Sequence, residues 1–297
     1  MTEKSSFSTT VLEQLQVGHY RPRAWLRMLS TSWIQAKATA GAHPNLVSEW
    51  WRMTGTLGTA TLCFAGYTAQ RHGRSVAWKS TIPLAFATLM QSGDQYVHLG
   101  LHRQDSQATG ELHPRLGSAM TLTALRSWVG IGIGSRWLGG MPLTDDEALV
   151  ALSVILASDI ADGWLARRCN LSSALGRYLD GEADMIAWTA LTLMQVRSGL
   201  IPVWFLVIHG LRWGLPLVLG FSRTFATARP VQLNRSRIGR VAGTSQALLA
   251  ASAILSSLRS DQPDAQFWRR IHKCLLACGC AALGVTGLQH VASIVRS

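Results

Sequence analysis

Residues 159–184 read D-I-A-D-G-W-L-A-R-R-C-N-L-S-S-A-L-G-R-Y-L-D-G-E-A-D, and apolar stretches long enough to cross a bilayer flank them. Asp159 and Asp162 are three apart, so they share one helical face. Asp180 and Asp184 are four apart and do the same on the next helix. A short reversal at 168–175 predicts antiparallel neighbours, with both acid pairs at the same end. Four carboxylates at one membrane depth are costly in hydrocarbon unless something compensates them. Left alone they would repel one another and take up protons. Arg167 and Arg177 relieve part of this. Hard divalent cations relieve it better, because Mg²⁺ and Mn²⁺ prefer carboxylate oxygen. Two such ions about 3.5–4 Å apart can clamp a diphosphate. Gly163, Ala166 and Gly176 leave room for a nucleotide or lipid diphosphate to approach the helices. Glu182, two residues from each neighbouring aspartate, points elsewhere and reads as a surface charge. Five of the 16 acids fall in this stretch and none lies between 185 and 260, a distribution that resembles a site.

The rest of the chain supports a membrane setting. Of 297 residues, 48% are apolar and 15% charged, against about 25% charged in soluble domains. Twelve tryptophans suit the headgroup level, where the ring is buried and its N–H stays wet. The net charge of +12 comes mostly from arginines lying between apolar stretches. That placement fits anionic lipid rather than nucleic acid. The five cysteines include no CxxC pair, and Cys274 and Cys278, which share a helical face inside an apolar run, read as packed thiols. The first 20 residues are polar and mixed in charge, which predicts no cleavable signal peptide.

An all-α, polytopic membrane protein follows, with six spans near 119–139, 148–167, 177–197, 200–221, 241–258 and 272–292. The connections 168–176 and 222–240 are basic, whereas Asp145, Asp146 and Glu147 occupy another. The positive-inside rule therefore puts the basic connections, and the acid pairs beside the first of them, in the cytoplasm. Residues 1–112 form an N-terminal extension and 113–297 the membrane domain. In the extension, Met53–Ala69 is long enough to span and Thr81–Met90 is short. His98, His102 and His113 match no standard zinc spacing and read as a solvated linker. Gly130 and Gly134 form a GxxxG pair, read as close helix packing.

The acidic stretch resembles the signature of the CDP-alcohol phosphatidyltransferase family, D-x2-D-G-x2-A-R-x8-G-x3-D-x3-D. Asp159, Asp162, Gly163, Ala166, Arg167, Gly176, Asp180 and Asp184 match it without a gap. The resemblance covers about 118–292 and implies a six-helix core in a bacterial inner membrane. It implies transfer of a phosphatidyl group from a CDP-diacylglycerol-like donor to a small alcohol or lipid acceptor, with release of CMP. It also implies two Mg²⁺ or Mn²⁺ ions on Asp159, Asp162 and Asp180. Asp184 becomes a metal ligand, the catalytic base, or both. Gly163, Ala166, Arg167 and Gly176 would then line the nucleotide.

Two weaker matches lie outside the signature. Thr123 and Arg126 fit a T-x2-R pattern that places Arg126 at the donor. On its own Arg126 reads equally as a snorkelling arginine. Gly239 and Gln246 fit a G-K-x-K-T-x2-Q region in which Arg240, Ala242 and Gly243 replace the two lysines and the threonine. Arg237 and Arg240 remain candidates for holding a phosphate there, but the usual mode of binding a phosphorylated acceptor is altered. Close helix packing and the resemblance make a homodimer a further expectation. The alternatives are an ion transporter, or an inactive lipid-binding scaffold, using the same carboxylates.

Overall fold

A computed structural model describes residues 7–102, 112–227 and 237–296. Among these residues the regular elements are all helical. They run α1 (Phe7–Val17), α2 (Pro22–Ala42), α3 (Pro44–His72), α4 (Arg74–Val97), a 3₁₀ turn (Leu99–Leu101) and α5 (Gly117–Leu138). Then follow α6 (Asp145–Arg168), α7 (Ala174–Arg197), α8 (Phe205–His209), a π turn (Gly210–Gly214), α9 (Leu215–Thr227), α10 (Arg237–Leu258) and α11 (Ala265–Arg296).

Four stretches are long and apolar enough to cross a membrane: α6, the continuous run Phe205–Thr227, Gly239–Leu258 and Ala265–Val295. They mark the chain as an integral membrane protein. The other two expected spans, α5 and α7, are of similar length, with 22 and 24 residues. They carry Arg126 and Arg136, and Asp180, Glu182 and Asp184, so the site itself dilutes their apolar character.

The chain divides into two compact units. One comprises Met1–Gln35 and Pro202–Ser297, the other Ala36–Ile201. In the first, α10 packs along α11, and α11 also meets α8, α9 and the π turn. In the second, α5 is the central helix, packing on α6, α7, α4 and α3. Leu46, Met53 and Leu57 of α3 share a core with Met120 and Ala124 of α5 and with Leu175 and Leu179 of α7. The extension helices α3 and α4 are therefore packed onto α5, and α3 shares its core with α7, which carries the second acid pair.

Helix α4 buries Ser80, Thr81, Thr88, Gln91, Ser92 and Gln95 while exposing Trp78, Ile82, Phe86, Leu89 and Met90. Polar residues inward and apolar residues outward is the pattern of a helix whose outer face meets lipid. The apolar run Thr81–Met90, short by itself, is thus the middle of a 24-residue helix.

Three readings are corrected by burial. His102 and His113 are buried, not solvated. Cys274 and Cys278 are exposed on α11 rather than packed. Glu182 is half-buried, with one carboxylate oxygen shielded from solvent and, among the described residues, lacking a hydrogen-bond partner. The reason is common to all three: which side of a helix meets a neighbour depends on tertiary packing, which local polarity does not report.

Candidate active site

The two acid-bearing helices are ended and started by local chemistry. Thr144 and Glu147 form a capping box at the start of α6, whose first turn holds three acids and whose last turn holds Arg167 and Arg168. Both arrangements complement the helix dipole. At the other end the Asn170 amide donates to Arg167 O (3.3 Å) and the Leu171 amide to Ala166 O (2.9 Å). With Asn170 at φ 53° this is a Schellman stop, in a left-handed conformation that asparagine tolerates. Ser173 then caps α7, its Oγ accepting from the Gly176 amide at 3.0 Å.

That turn is braced from the segment before α5. His102 Nε2 lies 2.7 Å from Arg115 O and its Nδ1 2.9 Å from Ser173 Oγ. A carbonyl can only accept, so Nε2 carries the proton and Nδ1 accepts from the Ser173 hydroxyl. The chain Gly176 N–H to Ser173 to His102 to Arg115 is satisfied with a neutral imidazole. Burial pushes the His102 pKa below its ordinary value. His98 behaves oppositely: its hydrogen bond to the Asp94 side chain raises its pKa.

Sequence reasoning made α6 and α7 direct neighbours. In the structure both pack extensively against α5, and their acids converge on its Arg126. The Arg126 side chain is fully buried (0% exposed). Its Nη1 donates to Asp159 Oδ1 at 2.6 Å and to Asp184 Oδ1 at 2.5 Å. Its Nη2 donates to Asp180 Oδ1 at 2.9 Å and to Asp162 Oδ2. Each nitrogen therefore ties one acid of α6 to one of α7. The Thr123 hydroxyl, one turn earlier on α5, also donates to Asp162 Oδ2, at 2.7 Å. Asp159 is 54% exposed and Asp162 only 8%, so the cluster opens on the Asp159 side.

The donor set fits divalent cations. Asp159, Asp162 and Asp180 each offer an oxygen within 4.8 Å of the other two. The ligands are hard anionic oxygens, as Mg²⁺ and Mn²⁺ require. The Arg126 guanidinium sits at their focus. Asp184 stands outside this trio but shares Arg126 Nη1 with Asp159.

The small residues of the signature are open. A Cβ on Gly163 would meet only the Arg167 guanidinium of its own helix, at 3.3 Å, and one on Gly176 only Ser173 Oγ, at 3.4 Å. Arg167 is exposed and folds back along α6 over Gly163, with Ala166 partly exposed beside it. Gly130 is different: a Cβ there would come within 2.7 Å of the Ala187 backbone on α7. Its expected role in close helix packing is realised inside the chain, while Gly134 faces open space. Arg240 is exposed near the start of α10, in the other unit. The helix opens at Arg237, whose side chain lies outside the described residues. Gln246, also on α10, is buried.

The central position of Arg126 is what sequence reasoning missed. The available signal was its spacing of three from Thr123, which puts both on one face of α5.

The family model described as CDP-alcohol phosphatidyltransferase matches residues 119–284, from the first turn of α5 into α11 and more than half of the chain. A cardiolipin synthase (CMP-forming) of Streptomyces coelicolor is 35% identical over 80 residues, which cover 27% of this chain and 37% of that protein. No solved structure matches the chain.

Proposed function

Because the chain belongs to the CDP-alcohol phosphatidyltransferase family, we propose that it transfers a phosphatidyl group from a CDP-diacylglycerol-like donor to an alcohol, releasing CMP. The observation that carries this reading is the convergence of Asp159, Asp162, Asp180 and Asp184 on one point at the side of α5.

Asp159, Asp162 and Asp180, whose oxygens lie within 4.8 Å of one another, would hold the divalent cations, and Asp184 would serve as ligand, base or both.

 In the base role the Asp184 carboxylate takes the proton of the acceptor hydroxyl. The hydroxyl oxygen attacks the phosphorus attached to diacylglycerol. The bond from that phosphorus to the bridging oxygen breaks, and CMP leaves with the bond's electron pair. Bound Mg²⁺ or Mn²⁺ supplies charge neutralisation for the diphosphate and the leaving oxygen. The chain's own contribution is positioning: Gly163, Ala166 and Gly176 let the nucleotide approach the helices, and Arg167 lies beside them. Arg126 is assigned to the donor phosphates, and Arg237 and Arg240, by sequence pattern alone, to a phosphate near the start of α10.

On the same reading 113–297 is the transferase domain, with α5 and α7 completing six spans, and 1–112 is an extension. The inward polar face of α4 supports a membrane position for that extension too. The basic residues around the α6–α7 turn support a cytoplasmic site in a bacterial inner membrane. The similarity to a cardiolipin synthase of Streptomyces coelicolor puts a second lipid at the head of the acceptor candidates.

The test is CMP release from CDP-diacylglycerol by the purified protein in detergent, with Mg²⁺ or Mn²⁺, across a panel of water-soluble and lipid alcohols. Chelation of the metal and Asp180→Ala should each abolish release while the protein stays folded in the membrane. Full turnover by Asp180→Ala would overturn the assignment.

A further inference from the structure

We propose that Arg126 competes directly with divalent cations for the four carboxylates, and so sets how readily the site loads. The inference rests on the reading of these aspartates as cation ligands.

Three observations carry it. The first is position: the two Nη atoms contact an oxygen of every acid in the cluster. A divalent ion sitting about 2.0–2.2 Å from the same oxygens cannot share that space with the guanidinium. The second is charge. One positive charge faces four negative ones, so Arg126 leaves the cluster strongly anionic and receptive to further cations. The third is fit. Arg126 is buried, yet among the described residues its Nε has no hydrogen-bond partner. An arginine-binding site normally uses the whole fork of donors. Here only the outer nitrogens are used, so the acids hold the guanidinium by its tip alone.

Loading would then expel the guanidinium from the carboxylates without moving α5. Tethered beside a neutralised cluster, it becomes a free positive charge next to the place where the donor diphosphate arrives. Cation loading and readiness for an anionic substrate are thereby linked through one side chain.

The experiment is calorimetric titration of Mn²⁺ into the purified protein without donor, paired with thermal unfolding in chelator and in Mn²⁺. Wild type, Arg126→Gln and Asp180→Ala are compared. Arg126→Gln should bind Mn²⁺ at least about tenfold more tightly than wild type, since an opposing charge within contact distance is removed. It should also be less stable than wild type in chelator and gain more from Mn²⁺. A merely structural arginine would lower stability equally in both conditions. Unchanged or weakened Mn²⁺ affinity in Arg126→Gln, with binding lost in Asp180→Ala, overturns the competition and leaves the cation site standing. Undiminished binding in Asp180→Ala overturns the cation site itself. If Arg126→Gln does not fold in either condition, Arg126→Lys decides. Lysine keeps the charge but cannot tie both helices with two nitrogens, so tighter Mn²⁺ binding than wild type supports the proposal and equal binding overturns it.

Discussion

Thr123 and Arg126 donate to the same oxygen, Oδ2 of Asp162. The threonine thus orients the most buried acid of the cluster from one turn away along α5. Thr123→Val keeps the shape and removes the hydroxyl. Loss of such a supporting hydrogen bond costs a metal site about 10–100-fold in affinity or activity. The expected outcome is a rise of that order in the Mn²⁺ concentration giving half-maximal CMP release, with little change in unfolding temperature. An unchanged metal dependence would remove Thr123 from the site.

Gly130 and Gly132 should respond in opposite directions to alanine. In a helix, glycine to alanine normally stabilises by up to about 1 kcal/mol. Gly132 has open space around it, so Gly132→Ala should follow that rule. At Gly130 the new Cβ would sit 2.7 Å from Ala187 Cα, a backbone atom that cannot swing aside. Gly130→Ala should destabilise by about 1–3 kcal/mol through overpacking. Because α7 carries Asp180 and Asp184, it should also lower turnover. Thermal unfolding of the two variants in detergent checks the contrast.

His102 gives a pH dependence whose sign is fixed. Its pKa is lowered by burial, so the folded chain binds fewer protons than the unfolded one below the ordinary histidine value of 6.5. Stability from this group is therefore complete above that pH and declines as pH falls below it. His102→Gln preserves a donor and an acceptor but does not titrate. Between pH 7 and pH 5.5 its unfolding temperature should fall less than that of wild type. His98, raised by Asp94, favours folding as pH drops. It is common to both proteins and cancels in the comparison.

Glu49 offers a test of the extension. Its Oε2 accepts from the amides of Leu116 (2.6 Å) and Gly117 (3.0 Å), at the start of α5. Gly117, at φ 77°, has the left-handed conformation that glycine favours. Glu49→Ala removes the acceptor for both amides and should cost about 1–3 kcal/mol. The effect should reach CMP release even though Glu49 lies outside the stretch shared with the family. Wild-type turnover in Glu49→Ala would show that α5 holds its place without it.

The acid pairs were legible because their information is local. Spacings of three and four put carboxylates on one face of a helix whatever surrounds it. Asn170 and Ser173 likewise end and start their helices through bonds within a few residues. What lies between those helices is not local. A short turn predicts that α6 and α7 reverse direction, but it does not reveal that Arg126 of α5, 33 residues upstream of Asp159, supplies the central cation. The histidines failed for the same reason. His102 and His113 sit among polar residues, and only packing against the α6–α7 turn makes them interior groups. Helix α4 was underestimated because its inward face is polar, which breaks the apolar run that hydropathy detects.

The two amide bonds to Glu49 make α3 an end stop for α5. That stop fixes how far along its own axis α5 sits, and with it the height at which a guanidinium about two and a half turns further on meets the acids. Core helices transplanted without their native leader would keep every residue of the signature and still miss alignment by a fraction of a turn. On the proposed reading, the register of the acid-binding arginine is held by Glu49, which lies before the stretch shared with the family.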